Sequence, residues 1–466
     1  MSIKFYNTLK RKKEIFEPIE SRYVSLYTCG PTVYDYSHIG NFRTFIFEDL
    51  LKRWLIYSGY EVKHVMNITD VDDKTIKRST NKNISLEELT QFYESEFKKD
   101  LNWLKIIKAN FYPKATQSIP KILSIISNLL EKKYAYIGDD GSVYFKIGSF
   151  KNYGKLSNIA LAKLKFQKSI LKDEYSKEAP RDFALWKIYK TSDGAVFWDS
   201  PWGKGRPGWH IECSAMSIEN LGESIDIHCG GVDNIFPHHE NEIAQSECYS
   251  GKNFVNYWIH SEHLMIGNGK MSKSEGDVFT INALKKNGFS AASIRYLLLS
   301  GHYRTRITFS LDLKIEAENV IKRIKNFAER LVEKGAQDLD LKNLKTPKEL
   351  TLFKSYMDDD LNTPKAFAVF FNYIRVINKK VDNNNLSKLD LEMSWCFLND
   401  FNSIFELINL NDKAIPSFIK SLLALRKKAR QKKDWNESDR LRLEILKEGY
   451  QVRDSKNGQK ITSKNN

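Results

Sequence analysis

The stretch Tyr23-Val24-Ser25-Leu26-Tyr27-Thr28-Cys29-Gly30-Pro31-Thr32-Val33-Tyr34-Asp35-Tyr36-Ser37-His38-Ile39-Gly40-Asn41 decides how the front of this chain folds. Its opening, Arg22–Tyr27, reads as a buried strand. Beyond it, Phe42, Ile46, Leu50, Trp54 and Tyr57 recur at helical spacing, and Gly59 stops that helix. Val62–Ile68 reads as the next strand. Strand, loop, helix and strand in this order make a βαβ unit whose ligand loop lies at the carboxyl end of the first strand. His38 and Gly40 stand where strand gives way to helix, a place that favours phosphate because the N–H groups and the helix dipole point at an anion.

Far downstream runs Lys270-Met271-Ser272-Lys273-Ser274, in a loop loosened by Gly267, Gly269 and Gly276. Such a loop closes over a triphosphate and neutralises charge on a pyrophosphate leaving group. Either run alone is weak; a lysine- and serine-rich loop is usually a solvated turn. In this order, the two together point to one nucleotide triphosphate.

The flanking runs narrow the reading. They are Tyr27–Asp35, then Gly208-Trp209-His210-Ile211-Glu212-Cys213-Ser214, then Phe236-Pro237-His238-His239-Glu240-Asn241-Glu242. With them the chain resembles the class I aminoacyl-tRNA synthetases, and among these the cysteinyl-tRNA synthetases of the bacterial type. The resemblance is dense from Tyr23 to Arg306 and thins beyond Pro347, where helix patterns and a basic tail carry it. One position departs: Asn41 stands where the class pattern has a second histidine. An asparagine still donates a hydrogen bond to phosphate, but it is no acid.

Composition bounds the rest. A chain of 466 residues with 41% hydrophobic residues forms several cored domains. No run of about 18 apolar residues predicts a membrane span, and the start, Met1–Tyr6, has no apolar signal region. Five cysteines make no disulfide framework, so a reduced cytoplasm is expected. A net charge of +15 suits a polyanion. From Ile419 onward there are fourteen Lys/Arg against six Asp/Glu, so +8 of that charge sits in a short tail. All nine histidines and four of the five cysteines precede Tyr303. A catalytic body followed by a recognition tail is the expectation.

The expected fold is α/β: an open parallel, Rossmann-like sheet with an inserted domain, then helical C-terminal domains. Residues 1–109 and 205–265 form the two halves of the nucleotide-binding domain, with 110–204 inserted between them. The resemblance implies that residues 266–315 hold the lysine loop and a stem-contact region, 316–415 a helical bundle that binds tRNA and its anticodon, and 416–466 a small basic anticodon-binding subdomain. The patterns predict helices at Leu86–Leu104, Ile119–Lys132, Phe236–Tyr249, Asn282–Ser300, Leu311–Lys334, Leu350–Phe371 and Ser387–Leu410, and a long basic helical region at Ser417–Gly449.

Thiol, imidazole and carboxylate in the front half suit zinc. His238 and Glu242 lie four apart on a predicted helix and share a face. Spacing alone leaves Cys229, Cys248, His228, His239 and Glu240 as rival ligands, and a lone buried cysteine is more often a small hydrophobe. The resemblance assigns one zinc per chain to Cys29, Cys213, His238 and Glu242, and makes Trp209 a wall of the cysteine pocket. Gly230-Gly231-Val232-Asp233 follows a strand, and Asp233 can accept ribose hydroxyls or a substrate ammonium. His228 is read as orienting a zinc ligand or the substrate carboxylate, and Thr69 as helping to hold cysteine. The acidic Asp70–Asp73 run is read as a helix N-cap with solvated carboxylates rather than a magnesium site. Gly30, Thr32, His38, Gly40, Asn41, Asp233, Lys270 and Lys273 are the expected ATP contacts, with magnesium accompanying ATP; His38, Asn41, Lys270 and Lys273 are the candidates for catalysis.

The function this implies is cysteine activation by ATP and transfer to tRNA(Cys) by a cytoplasmic monomer. Two alternatives share the features: an ATP-dependent ligase joining cysteine to an amine metabolite, and a non-catalytic zinc-containing tRNA-binding paralogue. Trp435, Asp439 and Arg440 are candidate anticodon contacts.

Overall fold

The structure is a computed structural model that describes residues 2–159, 182–267, 279–339, 345–410, 417–455 and 458–463. The Lys270–Ser274 run lies outside them. By contact density the chain divides into two units: residues 1–321, 348–373 and 401–407, and residues 322–347, 374–400 and 408–466.

The first unit begins with an antiparallel pair, β1 (Lys4–Asn7) and β2 (Lys12–Ile15). Then come β3 (Tyr23–Thr28), α1 (Ile39–Tyr57), β4 (Glu61–Met66), α2 (Asp73–Lys82) and α3 (Leu86–Trp103). The inserted segment supplies α4 (Ile119–Glu131) and the antiparallel β5 (Ala135–Ile137), β6 (Val143–Phe145), β7 (Phe183–Ile188) and β8 (Gly205–Pro207). The chain re-enters through α5 (Trp209–Leu221), β9 (Ile225–Gly231), α6 (Glu240–Ser250) and β10 (Val255–Ser261). The central sheet runs β10-β9-β3-β4, all parallel. From β3 the chain crosses through α1 to β4 on one side, whereas β9 lies on the other. The order therefore reverses at β3 and β9, and an open parallel sheet takes its ligand in the crevice at that switch point.

Ile119, Ile122, Ile125, Ile126 and Leu129 form the buried stripe of α4, at the spacing of one helical face. They join Ile211 and Met216 of α5 and Tyr27 of the sheet in one continuous core. Helix α1 is different, because charged residues on it are buried too. Asp49 accepts from Arg53 Nε at 2.9 Å and from the Ile107 N–H at 2.8 Å, and pairs with Arg295 Nη2 at 2.8 Å. Arg43 donates to the carbonyls of Leu298 and His302. These pairings hold α1 at the centre of the unit.

Past β11 (Leu264–Ile266), the helix expected at Asn282–Ser300 is two: α7 (Ile281–Lys286) and α8 (Ala291–Ser300). Gly288 breaks them with φ +78°, and the Ser290 hydroxyl caps α8 by accepting from the Ser293 N–H at 3.1 Å. β12 (Ile307–Phe309) pairs with β11. α9 (Leu313–Glu333) runs from the first unit into the second; α10 (Lys348–Asp358) belongs to the first unit. α11 (Thr363–Asp382) and α12 (Lys388–Phe405) each have residues in both.

The second unit ends in α13 (Ser417–Gln431), α14 (Trp435–Lys447) and an antiparallel hairpin, β13 (Tyr450–Ser455) and β14 (Gly458–Ser463). The single basic helical region expected at Ser417–Gly449 is therefore split. Lys433 adopts φ +60°, and Asp434 caps α14 by accepting from the Glu437 N–H at 3.1 Å. The hairpin was not expected, since its charged, polar strands show no apolar alternation. Ile419, Leu422, Leu441, Ile445 and Val452 make a small core, and Arg426 binds both carboxylate oxygens of Asp454, at 2.9 and 3.0 Å.

Candidate active site

The carboxyl ends of the four parallel strands converge on a cleft of about 430 Å³. β3 delivers Cys29 and Gly30, β4 delivers Asn67 and Thr69, β9 delivers Gly230, Gly231 and Asp233, and β10 delivers Ser261 and Glu262. Thr32 of the loop after β3, with His38, Gly40 and Asn41 at the start of α1, lines one side; Trp209, Cys213 and His238 line the other. His228 and Glu242 stand behind this wall, fully buried. Among the sequence candidates, only Lys270 and Lys273 cannot be placed, because they lie outside the described residues.

Two glycines are required by close approach. A Cβ on Gly30 would lie 1.7 Å from the Asn67 carbonyl oxygen, and the Gly30 N–H donates to Asn67 Oδ1 at 3.0 Å. A Cβ on Gly40 would meet the His38 ring at 3.0 Å. Gly30→Ala is therefore expected to force the β3 and β4 ends apart and to cost ~1–3 kcal/mol, as overpacking of a close contact does. Urea denaturation measures this, and an unchanged midpoint would show that the loops give way freely.

His38 caps α1. Its Nδ1 accepts from the Asn41 N–H at 3.3 Å, while the His38 N–H donates to Asn41 Oδ1 at 3.1 Å. A ring nitrogen that accepts carries no hydrogen, so Nε2 carries it. Burial lowers the His38 pKa, keeping the ring neutral. The result is a preset N–H donor at a helix N-terminus. The Asn41 oxygen is engaged in this cap, so its amide hydrogens are what it can offer to a ligand.

The acidic run is partly as expected. Asp72 caps α2, accepting from the Lys74 and Thr75 N–H groups at 2.8 Å each. Of its neighbours, Asp73 is solvated as expected, its side chain 61% exposed, whereas Asp70 is buried. Asp70 accepts from the Thr116 hydroxyl at 2.6 Å, and Asp73 pairs with Lys187 at 2.8 Å and with Arg206. These carboxylates tie the inserted segment to the catalytic layer.

The donor atoms of Cys29, Cys213, His238 and Glu242 all lie within 4.8 Å of one another. His238 is not inside α6 as expected. Phe236 has extended backbone angles, so His238 sits in the wide turn ahead of that helix, still one turn from Glu242. The ring of Trp209, itself 43% exposed, stacks on His238 at 4.3 Å. His238 Nδ1 lies 2.9 Å from His210 Nδ1, and its Nε2 lies 3.1 Å from Glu242 Oε1. That buried oxygen has no hydrogen bond. If His238 donates from Nδ1 to His210, its Nε2 lone pair faces a carboxylate oxygen. Two electron-rich atoms held this close need a proton or a cation between them.

The electrostatics agree. With no ion, burial pushes His238 down to about 3 and Glu242 up to about 7, while the Cys213 hydrogen bond and burial hold the Cys29 thiol well above its usual range. Two sulfurs, an imidazole and a carboxylate so gathered fit a tetrahedral ion with bonds of about 2.0–2.3 Å. Of the rival ligands, Glu240 faces elsewhere, accepting from the Gly154 N–H at 2.9 Å and from the Ser157 N–H and hydroxyl at 2.8 Å each. His228 Nε2 lies 3.0 Å from Glu242 Oε2, and His239 Nε2 lies 3.3 Å from Cys29 Sγ. Sequence reading missed His210, His260 and Glu262. The last follows a strand's carboxyl end, which is the signal that could have found it.

A family model for the class I (C) tRNA synthetase catalytic domain matches residues 15–319, a DALR domain matches 352–409, and a cysteinyl-tRNA ligase anticodon binding domain matches 412–461. The cysteine–tRNA ligase of Chlamydia pneumoniae is 48% identical over 98% of this chain and 97% of its own length. The chain belongs to the cysteine–tRNA ligase family. A second member, from Chlamydia trachomatis serovar A, is 47% identical over 99% of both chains. Mycobacterium tuberculosis methionyl-tRNA synthetase in complex with methionyl-adenylate is only 10% identical but shares the fold, with a TM-score of 0.58 over 82% of this chain and 92% of that one. This cysteine–tRNA ligase family member is thus an aminoacyl-tRNA ligase with the class I α/β fold. No helix among its described residues is long and apolar enough to cross a membrane.

Proposed function

We propose that L-cysteine is activated in this cleft by ATP with magnesium, and that the cysteinyl group then passes to the 3′-terminal adenosine of tRNA(Cys), the thiol having been selected at a zinc ion. The observation that carries the reading is the gathering of Cys29, Cys213, His238 and Glu242 on one wall of a cleft whose other wall is the capped start of α1. Zinc held by that quartet would supply a positive charge that favours a thiolate, and it would have little affinity for a serine hydroxyl.

The chain's own residues do the rest. Trp209 closes the cysteine side against bulk. Thr69 and Asp233 line the same cleft, where they would meet the amino acid's polar groups and the ribose. His38 offers its Nε2–H, and Gly30 and Gly40 allow the backbone to approach the phosphates closely. Lys270 and Lys273 would neutralise the departing pyrophosphate. No protein nucleophile is needed, because the cysteine carboxylate attacks the α-phosphate itself; position and charge are the contribution of the enzyme. The deciding experiment is cysteine-dependent ATP–pyrophosphate exchange followed by charging of tRNA transcripts. Exchange without charging would instead favour a ligase acting on a small amine, and absence of both would favour a non-catalytic RNA-binding role.

The basic tail, acting within a cytoplasmic monomer, would read the anticodon. Trp435 is 56% exposed, with the Arg430 guanidinium 5.5 Å from its ring centre. An exposed aromatic beside a cation is a stacking platform for an unpaired base. Arg440 is engaged by Glu437 and Glu444 at 2.7 and 3.0 Å, which weakens its claim. Truncation after Pro416 is expected to leave pyrophosphate exchange largely intact, to lower aminoacylation sharply and to flatten the salt dependence of tRNA binding. An unchanged ratio of the two activities in a soluble, zinc-replete truncation would refute the assignment.

A further inference from the structure

Behind the first quartet lies a second. The donor atoms of Cys29, His228, His239 and Glu242 also lie within 4.8 Å of one another. Cys213 and His238 line the cleft, whereas His228 and His239 are fully buried and stand back from it.

Both inner histidines have the outer support expected of metal ligands, a fixed partner on the far ring nitrogen. His228 Nδ1 meets the Cys229 carbonyl at 3.3 Å. In the tautomer that satisfies this carbonyl, Nδ1 carries the hydrogen and the Nε2 lone pair faces Glu242 Oε2 at 3.0 Å. In that tautomer two acceptors stand face to face, as at His238, and a cation between them satisfies both. His239 Nδ1 meets His260 Nε2 at 2.8 Å, and His260 Nδ1 meets Thr8 Oγ1 at 2.8 Å. Read outward as successive donors, this chain ends on the threonine oxygen and leaves His239 Nε2 bare. That nitrogen lies 3.3 Å from Cys29 Sγ and 4.0 Å from Glu242 Oε1. Glu242 thus turns Oε1 toward His238 and His239 and Oε2 toward His228, so it can serve either set. Charge favours the inner set as well: two anionic and two neutral donors balance a divalent ion, whereas the outer set leaves a net negative charge where water is scarce.

We propose that Cys29, His228, His239 and Glu242 form a second, deeper coordination set for zinc, sharing two ligands with the outer set. One ion at a time is held, and it moves inward when Cys213 or His238 lets go. The inference rests on the reading of the pocket as a zinc site.

Zinc-edge X-ray absorption on the full-length protein, with zinc content measured in parallel, tests it. Wild type should hold one zinc with two sulfurs and one imidazole. Cys213→Ser should keep its zinc, now with one sulfur and two imidazoles. Adding His228→Ala to that variant should then release the ion on dialysis. His238→Gln gives an independent variant, expected to show one sulfur and two imidazoles rather than two sulfurs and none. Loss of zinc from both folded single variants would overturn the inner set. So would one sulfur with one imidazole in Cys213→Ser, because the ion would then have stayed outside. A zinc-free wild type would overturn the zinc reading itself, a distinguishable failure.

Discussion

Replacing Cys29 and Cys213 together by serine will leave the protein without zinc and with only a shape-based preference for cysteine over serine. Both possible coordination sets lose Cys29, and the outer one loses both sulfurs. What remains is two imidazole-and-carboxylate clusters that share one carboxylate. A pocket that must then judge by shape alone distinguishes a one-atom change by only ~1–3 kcal/mol, or roughly 10–200-fold. Elemental analysis and the ratio of kcat/KM for cysteine over serine, read by pyrophosphate exchange, measure both effects. Full zinc content in the folded double variant would remove the quartet from the account. Discrimination retained at the wild-type level would show that selection lies elsewhere in the cleft.

His38→Asn is expected to slow adenylate formation by ~10²–10³-fold, the usual loss when one preset donor to developing charge is removed. Asparagine separates the two roles of this residue. It is as good an N-cap as any side chain, so α1 should keep its start and the melting temperature should hardly move. It cannot reproduce the imidazole N–H that the Asn41 bond leaves free on Nε2. Single-turnover adenylate formation and a thermal melt on the same sample read the two roles apart. A large fall in stability with a near-normal rate would mean that His38 is only a cap.

What was legible in the sequence follows from how local each signal is. The β3–α1–β4 unit could be read because its strand, loop and helix are consecutive and Gly59 marks the stop. His238 and Glu242 could be paired because they are one turn apart. Their sulfur partners come from β3 and α5, which only the folded sheet brings together, so spacing alone left five rivals standing. His228 reads from the sequence as orienting a zinc ligand or the substrate carboxylate, but which of the two could not be told until the fold set its ring nitrogens against the Cys229 carbonyl and Glu242. The break at Lys433 was missed because charged, helix-forming residues continue on either side, whereas Asn287-Gly288 before Ser290 does carry a stop-and-cap signal that the longer apolar spacing overrode. The terminal hairpin was missed because its stability rests on one small core and on the pairing of Arg426 with Asp454, a partner 28 positions away.

The most direct test of the central claim, that the thiol of cysteine is read at this wall of the cleft, is the zinc-edge absorption spectrum of the wild-type enzyme with and without L-cysteine. The account predicts that saturating cysteine adds one sulfur to the zinc shell and that serine at the same concentration changes nothing. An unchanged sulfur count with cysteine bound would contradict it.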